Sequence, residues 1–272
     1  MRVALLQMNS GIDPDANAAT IEAAIAEAAA GGATMLFTPE MSGLLDRDRK
    51  RADGHLRDER EDPALARACA AAKAHGIWVA LGSLAVRGSA DGRLANRSFV
   101  IDAAGEIVAR YDKMHMFDVD VGAGDSWRES AAYAPGSGAV TVETPLGTLG
   151  LTICYDLRFP ALHAALSNAG ATVIAAPAAF TVPTGEAHWH VLQRARAIEN
   201  AAFVVAAAQT GEHQDGRRTF GHSLVIDPWG KVLLDMGDAP GVAFCDIELT
   251  AVDEARSRVP VIKHRRPIES IA

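Results

Sequence analysis

The feature of this sequence that most constrains its fold is an internal repeat. Gly32-Ala33-Thr34-Met35-Leu36-Phe37-Thr38-Pro39 returns as Gly170-Ala171-Thr172-Val173-Ile174-Ala175-Ala176-Pro177. Two further pairs follow in the same order: Ile77-Trp78-Val79-Ala80-Leu81 with Ala202-Phe203-Val204-Val205-Ala206, and Phe99-Val100-Ile101-Asp102 with Leu224-Val225-Ile226-Asp227. After each of the last pair comes Gly105 or Gly230, completing an Asp-x-x-Gly turn between β-branched runs, where glycine supplies the positive φ of a tight hairpin.

Helices are expected between the repeated strands. From Asp15 to Ala30 the apolar residues Ile21, Ala24, Ile25 and Ala28 keep a helical spacing, and Gly31-Gly32 stop the run. Asp62-Pro63 gives an N-cap and a first-turn proline, Leu65 to Lys73 the body, and Gly76 the end. Strands are expected at Val3–Met8, Thr34–Thr38 and Ile77–Gly82. Two such halves can bury their mixed sheets against each other with helices outside. The expected fold is therefore α/β, a four-layer α-β-β-α sandwich in a single domain over residues 1–272.

At 272 residues and 49% hydrophobic, the chain can bury a substantial core. Its net charge of −8 argues against a nucleic-acid partner, which needs a basic face. The one basic cluster, Lys263-His264-Arg265-Arg266, reads as a solvated or subunit-contacting tail rather than an anion site. Met1–Asn9 is too short an apolar stretch for a signal peptide and reads as a strand; no window reaches the roughly 18 uninterrupted apolar residues of a membrane helix. No membrane association and a cytoplasmic location are expected. Cys69, Cys154 and Cys245 are an odd count, so a disulfide framework is not expected and a reactive thiol stays open.

Thr148–Ile153 is a β-rich run that delivers Cys154, and Asp156-Leu157-Arg158-Phe159-Pro160 then opens a helix through Leu166. A thiol at such a junction suits a nucleophile, because a helix N-terminus favours the thiolate and the Tyr155 N–H can meet a developing oxyanion. A buried Cys154 acting as a small hydrophobe fits equally well. Glu40 closes an apolar strand, and Lys113 follows the first-half hairpin. Taken singly, each also fits an ordinary loop charge.

Together, Glu40, Lys113 and Cys154, separated by 73 and 41 residues, resemble the nitrilase superfamily of carbon–nitrogen hydrolases. The resemblance covers nearly the whole chain. It rests on Pro39-Glu40-Met41, Lys113-Met114-His115-Met116-Phe117-Asp118, Ile153-Cys154-Tyr155-Asp156-Leu157-Arg158-Phe159-Pro160 and His264-Arg265-Arg266-Pro267. Thr184-Gly185-Glu186-Ala187-His188-Trp189 and Gly221-His222-Ser223 are similar to the branch that contains deaminated-glutathione amidase and ω-amidase. Ala161 departs from that branch, which has an acid after Arg-Phe-Pro.

The resemblance implies an amidase that releases an amine or ammonia through a thioester on Cys154. Glu40 would be general base, and Lys113 would lower the thiol pKa and share the oxyanion with the Tyr155 N–H. Glu129, after the Gly122-Ala123-Gly124 loop, would orient Lys113 and the substrate amide; a surface acid is its other reading. Arg158 would either take a substrate carboxylate or pair structurally with Asp156. His188 and Trp189 would line the mouth, and Phe180 and Thr181 a wall. His188-x-His190 has no third ligand at a suitable spacing, so no metal is expected, and no phosphate-binding loop is present, so no cofactor is expected either. The expected partners are a small amide substrate and, by resemblance, a second copy of the chain. ω-Amidase, N-carbamoyl amino-acid hydrolase and a non-catalytic binding protein of the same fold are the rival readings.

Overall fold

The computed structural model describes residues 1–89, 91–120 and 126–268. The Gly122–Gly124 loop lies outside the described residues.

One six-stranded sheet is built from β1 (Arg2–Gln7), β2 (Met35–Phe37), β3 (Trp78–Val86), β4 (Ala95–Ile101) and β5 (Ile107–Asp112), with β16 (Gly241–Asp246) on the edge beside β1. The other contains β8 (Thr141–Thr144), β9 (Gly147–Leu151), β10 (Val173–Ala175), β11 (Phe203–Ala206), β14 (Leu224–Ile226) and β15 (Val232–Asp235). Their orders, β16-β1-β2-β3-β4-β5 and β8-β9-β10-β11-β14-β15, agree strand for strand in direction: antiparallel, parallel, parallel, antiparallel, antiparallel. The repeat in sequence is thus a repeat in topology. Only the first position breaks it, filled from the chain's end by β16 and from just upstream by β8.

Strand alternation sorts the core into layers. Ala4, Leu6, Leu36, Val79 and Leu81 point at α1 (Pro14–Ala30) and α3 (Pro63–His75), whose Ile21, Ile25 and Leu65 join the same cluster. Val3, Leu5, Met35, Phe37 and Ala80 share a cluster with Leu149, Leu151, Val173 and Ala175 of the other sheet. Beyond that sheet lie α4 (Pro160–Asn168) and α5 (Val182–Asn200), which contribute Leu166 and Trp189. The expected α-β-β-α layering is what the chain adopts. The helix ends follow their signals too: Asp13 caps α1 by accepting from Asp15 N at 3.0 Å, Asp62 caps α3 by accepting from Leu65 N at 2.9 Å, and Gly76 ends α3 at φ 63°.

The loops carry a short helix, α2 (Arg49–Asp53), and two ribbons, β6 (Asp118–Asp120) with β7 (Ser126–Arg128) and β12 (Thr210–Glu212) with β13 (Arg218–Phe220). The chain closes through α6 (Thr250–Arg258) and α7 (Val261–His264). Of the basic cluster read as a solvated or subunit-contacting tail, Lys263, His264 and Arg266 are exposed, and Arg265 turns inward. Its guanidinium donates to Ala164 O, Glu199 O and Asn200 Oδ1 at 2.9–3.1 Å, tying down the C-terminal turns of α4 and α5. The three cysteines are unpaired, and among the described residues no helix is long and apolar enough to cross a membrane.

Candidate active site

Three strand ends converge. Glu40 follows β2, Lys113 follows β5 directly, and Cys154 follows β9 at the start of one 3-10 turn, Cys154–Arg158. The helix expected from Asp156 begins instead at Pro160, after a 3-10 turn, Cys154–Arg158, that carries Cys154 out of the sheet. Cys154 has φ 48° and Met41, just past Glu40, φ 55°. Side chains rarely adopt this left-handed region, at a cost of about 1–3 kcal/mol each, and such residues gather where geometry serves function. Gly82 makes room for the Glu40 turn: a Cβ there would collide with the carbonyl oxygens of Thr38 and Pro39.

Lys113 and Glu40 are almost fully buried, at 2% and 4% exposure. The Lys113 ammonium donates to Glu40 Oε1 at 2.9 Å and to both Glu129 oxygens at 2.9 and 3.0 Å. Each carboxylate is held from behind. Glu40 Oε2 accepts from Ala179 N at 2.9 Å, and Glu129 Oε2 accepts from Phe117 N at 2.7 Å. Asn96 was not singled out in the sequence, yet its Nδ2 donates to Glu40 Oε1 at 2.9 Å and to Glu129 Oε1 at 3.2 Å. It sits on β4, where nothing in the local pattern separates an inward-facing asparagine from an ordinary strand residue.

Burial by itself would raise the Glu40 carboxyl, but the Lys113 charge and hydrogen bonds from Lys113, Cys154 and Asn96 outweigh it and hold it below the ordinary value. Burial also opposes the Lys113 charge, and the Glu129 and Glu40 carboxylates overcome that, pushing its pKa well above the usual lysine value. Cys154 goes the other way. Burial, then the neighbouring Glu40 charge, raise the thiol well above its usual value, with Lys113 pulling against them. Lys113 thus acts on the thiol in the expected sense, and burial beside the Glu40 charge outweighs it. A carboxylate, a thiol and a buried ammonium in one cluster are the groups that base, nucleophile and electrostatic-donor chemistry needs.

The comparisons with known proteins decide the family. The carbon-nitrogen hydrolase family matches residues 2–257. The chain belongs to it. This hydrolase is 42% identical over 272 residues to the deaminated glutathione amidase of Yersinia enterocolitica, covering 99% of this chain and 94% of the relative. The crystal structure of the C. elegans NitFhit protein superposes with a TM-score of 0.90 at 36% identity, covering 97% of this chain and 65% of that one. A mutant of the amidase from Nesterenkonia sp. AN1, described as showing Michael addition of acrylamide at the active site cysteine, matches at 27% identity and TM-score 0.79, covering 96% of this chain and 98% of that one. The present chain is accordingly a hydrolase of amide carbon–nitrogen bonds.

The hydrolase opens its cluster into a cavity of about 1150 Å³. Glu40, Lys113, Glu129, Cys154 and Tyr155 line it, as do Phe180 and Thr181. Tyr155 lies in the first turn of the 3-10 segment, where N–H groups have no partner within the turn. The other expected substrate contacts fall elsewhere. Trp189 is fully buried, packs on Phe180 with ring centroids 5.0 Å apart, and donates its indole N–H to His222 O at 2.8 Å. It is a core residue, because the α5 face that carries Gly185, Trp189 and Gln193 turns inward. His188, one residue earlier, is exposed, with Nδ1 3.3 Å from the Arg158 guanidinium. Arg158 does not pair with Asp156, and it reaches the cavity wall only by covering the Tyr155 and Phe180 rings at 5.9 and 5.3 Å.

His190 also has partners that sequence spacing hides. Its Nε2 and His222 Nδ1 each lie 2.9 Å from an Asp235 oxygen, forming a hydrogen-bonded His-Asp-His cluster away from the cavity lining.

Proposed function

We propose that this hydrolase cleaves the amide bond of a small carboxylated substrate of the deaminated-glutathione type, with Cys154 as nucleophile, Glu40 as general base, and Lys113 with the Tyr155 N–H as oxyanion donors. The observation that carries the reading is the buried Lys113 ammonium held 2.9 Å from both Glu40 and Glu129, on the cavity wall that also bears Cys154. An uncompensated charge at such depth would cost several kcal/mol, so the two acids keep the cation available for a third, transient negative charge.

In the first step Glu40 takes the thiol proton as sulfur attacks the amide carbon. Burial and the Glu40 charge both disfavour a free thiolate, so proton transfer and attack belong together. The tetrahedral oxygen is stabilised by Lys113 and the Tyr155 N–H. Collapse breaks the C–N bond, Glu40 passes its proton to the departing amine, and a C–S thioester remains. Water, deprotonated by Glu40, then attacks the thioester carbon; collapse breaks the C–S bond, releases the acid, and Glu40 returns its proton to the Cys154 sulfur. Glu129 holds Lys113 in line throughout.

The substrate follows from the relatives named above and from the cavity's size. A volume of about 1150 Å³ exceeds what a simple aliphatic amide needs and suits a peptide-like one. A nucleophilic thiol suits a reducing compartment such as the cytoplasm. Two copies would pair through the outer helices, where Val191 and Ile198 of α5 stand 61% and 49% exposed. The test is product release from purified protein on deaminated glutathione, α-ketoglutaramate, an N-carbamoyl amino acid and an aliphatic nitrile. Preference for deaminated glutathione by orders of magnitude in kcat/KM supports the reading. Preference for α-ketoglutaramate would make the protein an ω-amidase, and no turnover would favour a binding protein.

A further inference from the structure

The cavity wall is far more basic than the chain. Eight of its lining side chains are cationic and four are acidic, in a protein of net charge −8. Lys113 has all its donors engaged by Glu40 and Glu129, whereas two guanidinium groups near Trp127 keep donors free among the described residues. The guanidinium of Arg217 lies 5.2 Å from the Trp127 ring centre and that of Arg47 5.7 Å. All three side chains line the cavity that contains Cys154.

A single carboxylate organises this corner. The Asp215 side chain has no exposed surface. Its Oδ1 accepts from Arg217 N at 3.0 Å, and its Oδ2 accepts from Arg217 Nε at 2.8 Å and from Arg47 N at 2.9 Å. It thereby pins two loops that are 170 residues apart in sequence. The bonds leave the terminal Nη atoms of Arg217 and the whole Arg47 guanidinium without an acceptor among the described residues.

We propose that Arg217 and Arg47, held against Trp127, form a subsite for a carboxylate at the far end of the leaving-group half of the substrate. The inference rests on the amidase reading above and adds to it the residues that would recognise the leaving group. The preferred substrates are amides whose amine product is itself an amino acid or short peptide with a free carboxylate, rather than primary amides that release ammonia. A departing ammonia needs no subsite; a departing dipeptide spans several ångströms from the scissile nitrogen and ends in a charge. Arg217 offers that charge two parallel N–H donors on a side chain already immobilised, so little rotamer entropy is lost on binding.

Deaminated glutathione and α-ketoglutaramate share one acyl half and differ only in the leaving group, cysteinylglycine against ammonia. The experiment measures the ratio of their kcat/KM values for wild type, Arg217→Gln, Arg47→Gln and Arg217→Lys. The ratio should fall about tenfold or more in both glutamine variants, mainly through KM for deaminated glutathione, with Arg217→Lys in between. Wild type should also lose about tenfold on deaminated glutathione bearing a C-terminal carboxamide, a loss that Arg217→Gln should largely abolish. Arg47→Gln guards against misfolding, since its side chain is exposed and makes no hydrogen bond among the described residues. Ratios within twofold of wild type in both variants would overturn the subsite while leaving the amidase reading intact. Turnover of neither substrate by wild type would overturn both.

Discussion

The Tyr111 hydroxyl donates to Asp156 Oδ2 at 2.7 Å, joining the strand that ends at Lys113 to the turn that carries Cys154. The same oxygen accepts from Ile153 N at 2.9 Å, and Oδ1 accepts from His115 N at 3.1 Å, with His115 Nδ1 at 2.7 Å. Tyr111 and His115 flank Lys113 two residues either side, and Ile153 immediately precedes Cys154. One buried carboxylate therefore sets the spacing between cation and nucleophile.

Asp156→Asn keeps the shape of that link but swaps an acceptor for a donor. Two of the four donors lose their partner. We expect kcat to fall roughly 10–100-fold with KM changed little, because small displacements of reacting groups are costly even when binding survives. Stability should drop by about 1–3 kcal/mol, read from urea midpoints. Wild-type kcat would show that the spacing is set elsewhere.

Lys113→Met removes the cation from between two acids. Glu40 and Glu129 would then face each other without compensation, and breaking such a buried set costs about 3–5 kcal/mol. Activity should fall at least about 10²–10³-fold, the usual weight of an oxyanion donor. Adding Glu129→Gln should recover part of the stability and none of the rate. That non-additivity separates the structural from the electrostatic role of Lys113, and a rate within tenfold of wild type would contradict the second.

The pH dependence separates catalysis from folding. Glu40 stays ionised to below its ordinary 4.5 and Lys113 charged to above its ordinary 10.5, so neither should produce a limb in kcat/KM between about pH 5 and 10. Stability behaves differently. Burial pushes His163 down from 6.5 to about 4, the Phe159 carbonyl that accepts from its Nδ1 only partly opposing this. The unfolded chain takes up the proton first, so this contribution is whole above pH 6.5 and is lost as pH falls towards 4, about 3 kcal/mol in all. Urea midpoints at pH 7 and 5 should converge for His163→Gln relative to wild type; equal slopes would contradict the assignment.

Much of the architecture was readable because alternation and helical spacing act locally. The Gly32–Pro39 and Gly170–Pro177 repeat pointed to two matching halves, and β2 and β10 occupy matching places in the two sheets. Glu40, Lys113 and Cys154 were readable as a set through the resemblance to the nitrilase superfamily, since each taken singly also fits an ordinary residue at a strand end. Asn96, Asp156 and Asp215 were not, since their roles depend on partners 33 to 168 residues away. His188 and Trp189 show the reverse error: adjacent in sequence and about 100° apart around α5, one is exposed and the other buried, and only packing against Phe180 decides which is core. The thiol's raised pKa was likewise hidden, because it comes from burial beside Glu40.

The most direct test of the account is a rapid-quench experiment on deaminated glutathione with intact-protein and peptide mass analysis, run on wild type and Cys154→Ala. The account predicts a transient acyl adduct on the Cys154 peptide of wild type, and for Cys154→Ala no adduct and no turnover above background in a protein that still folds. Turnover by Cys154→Ala near the wild-type rate, with no adduct on either protein, would contradict it.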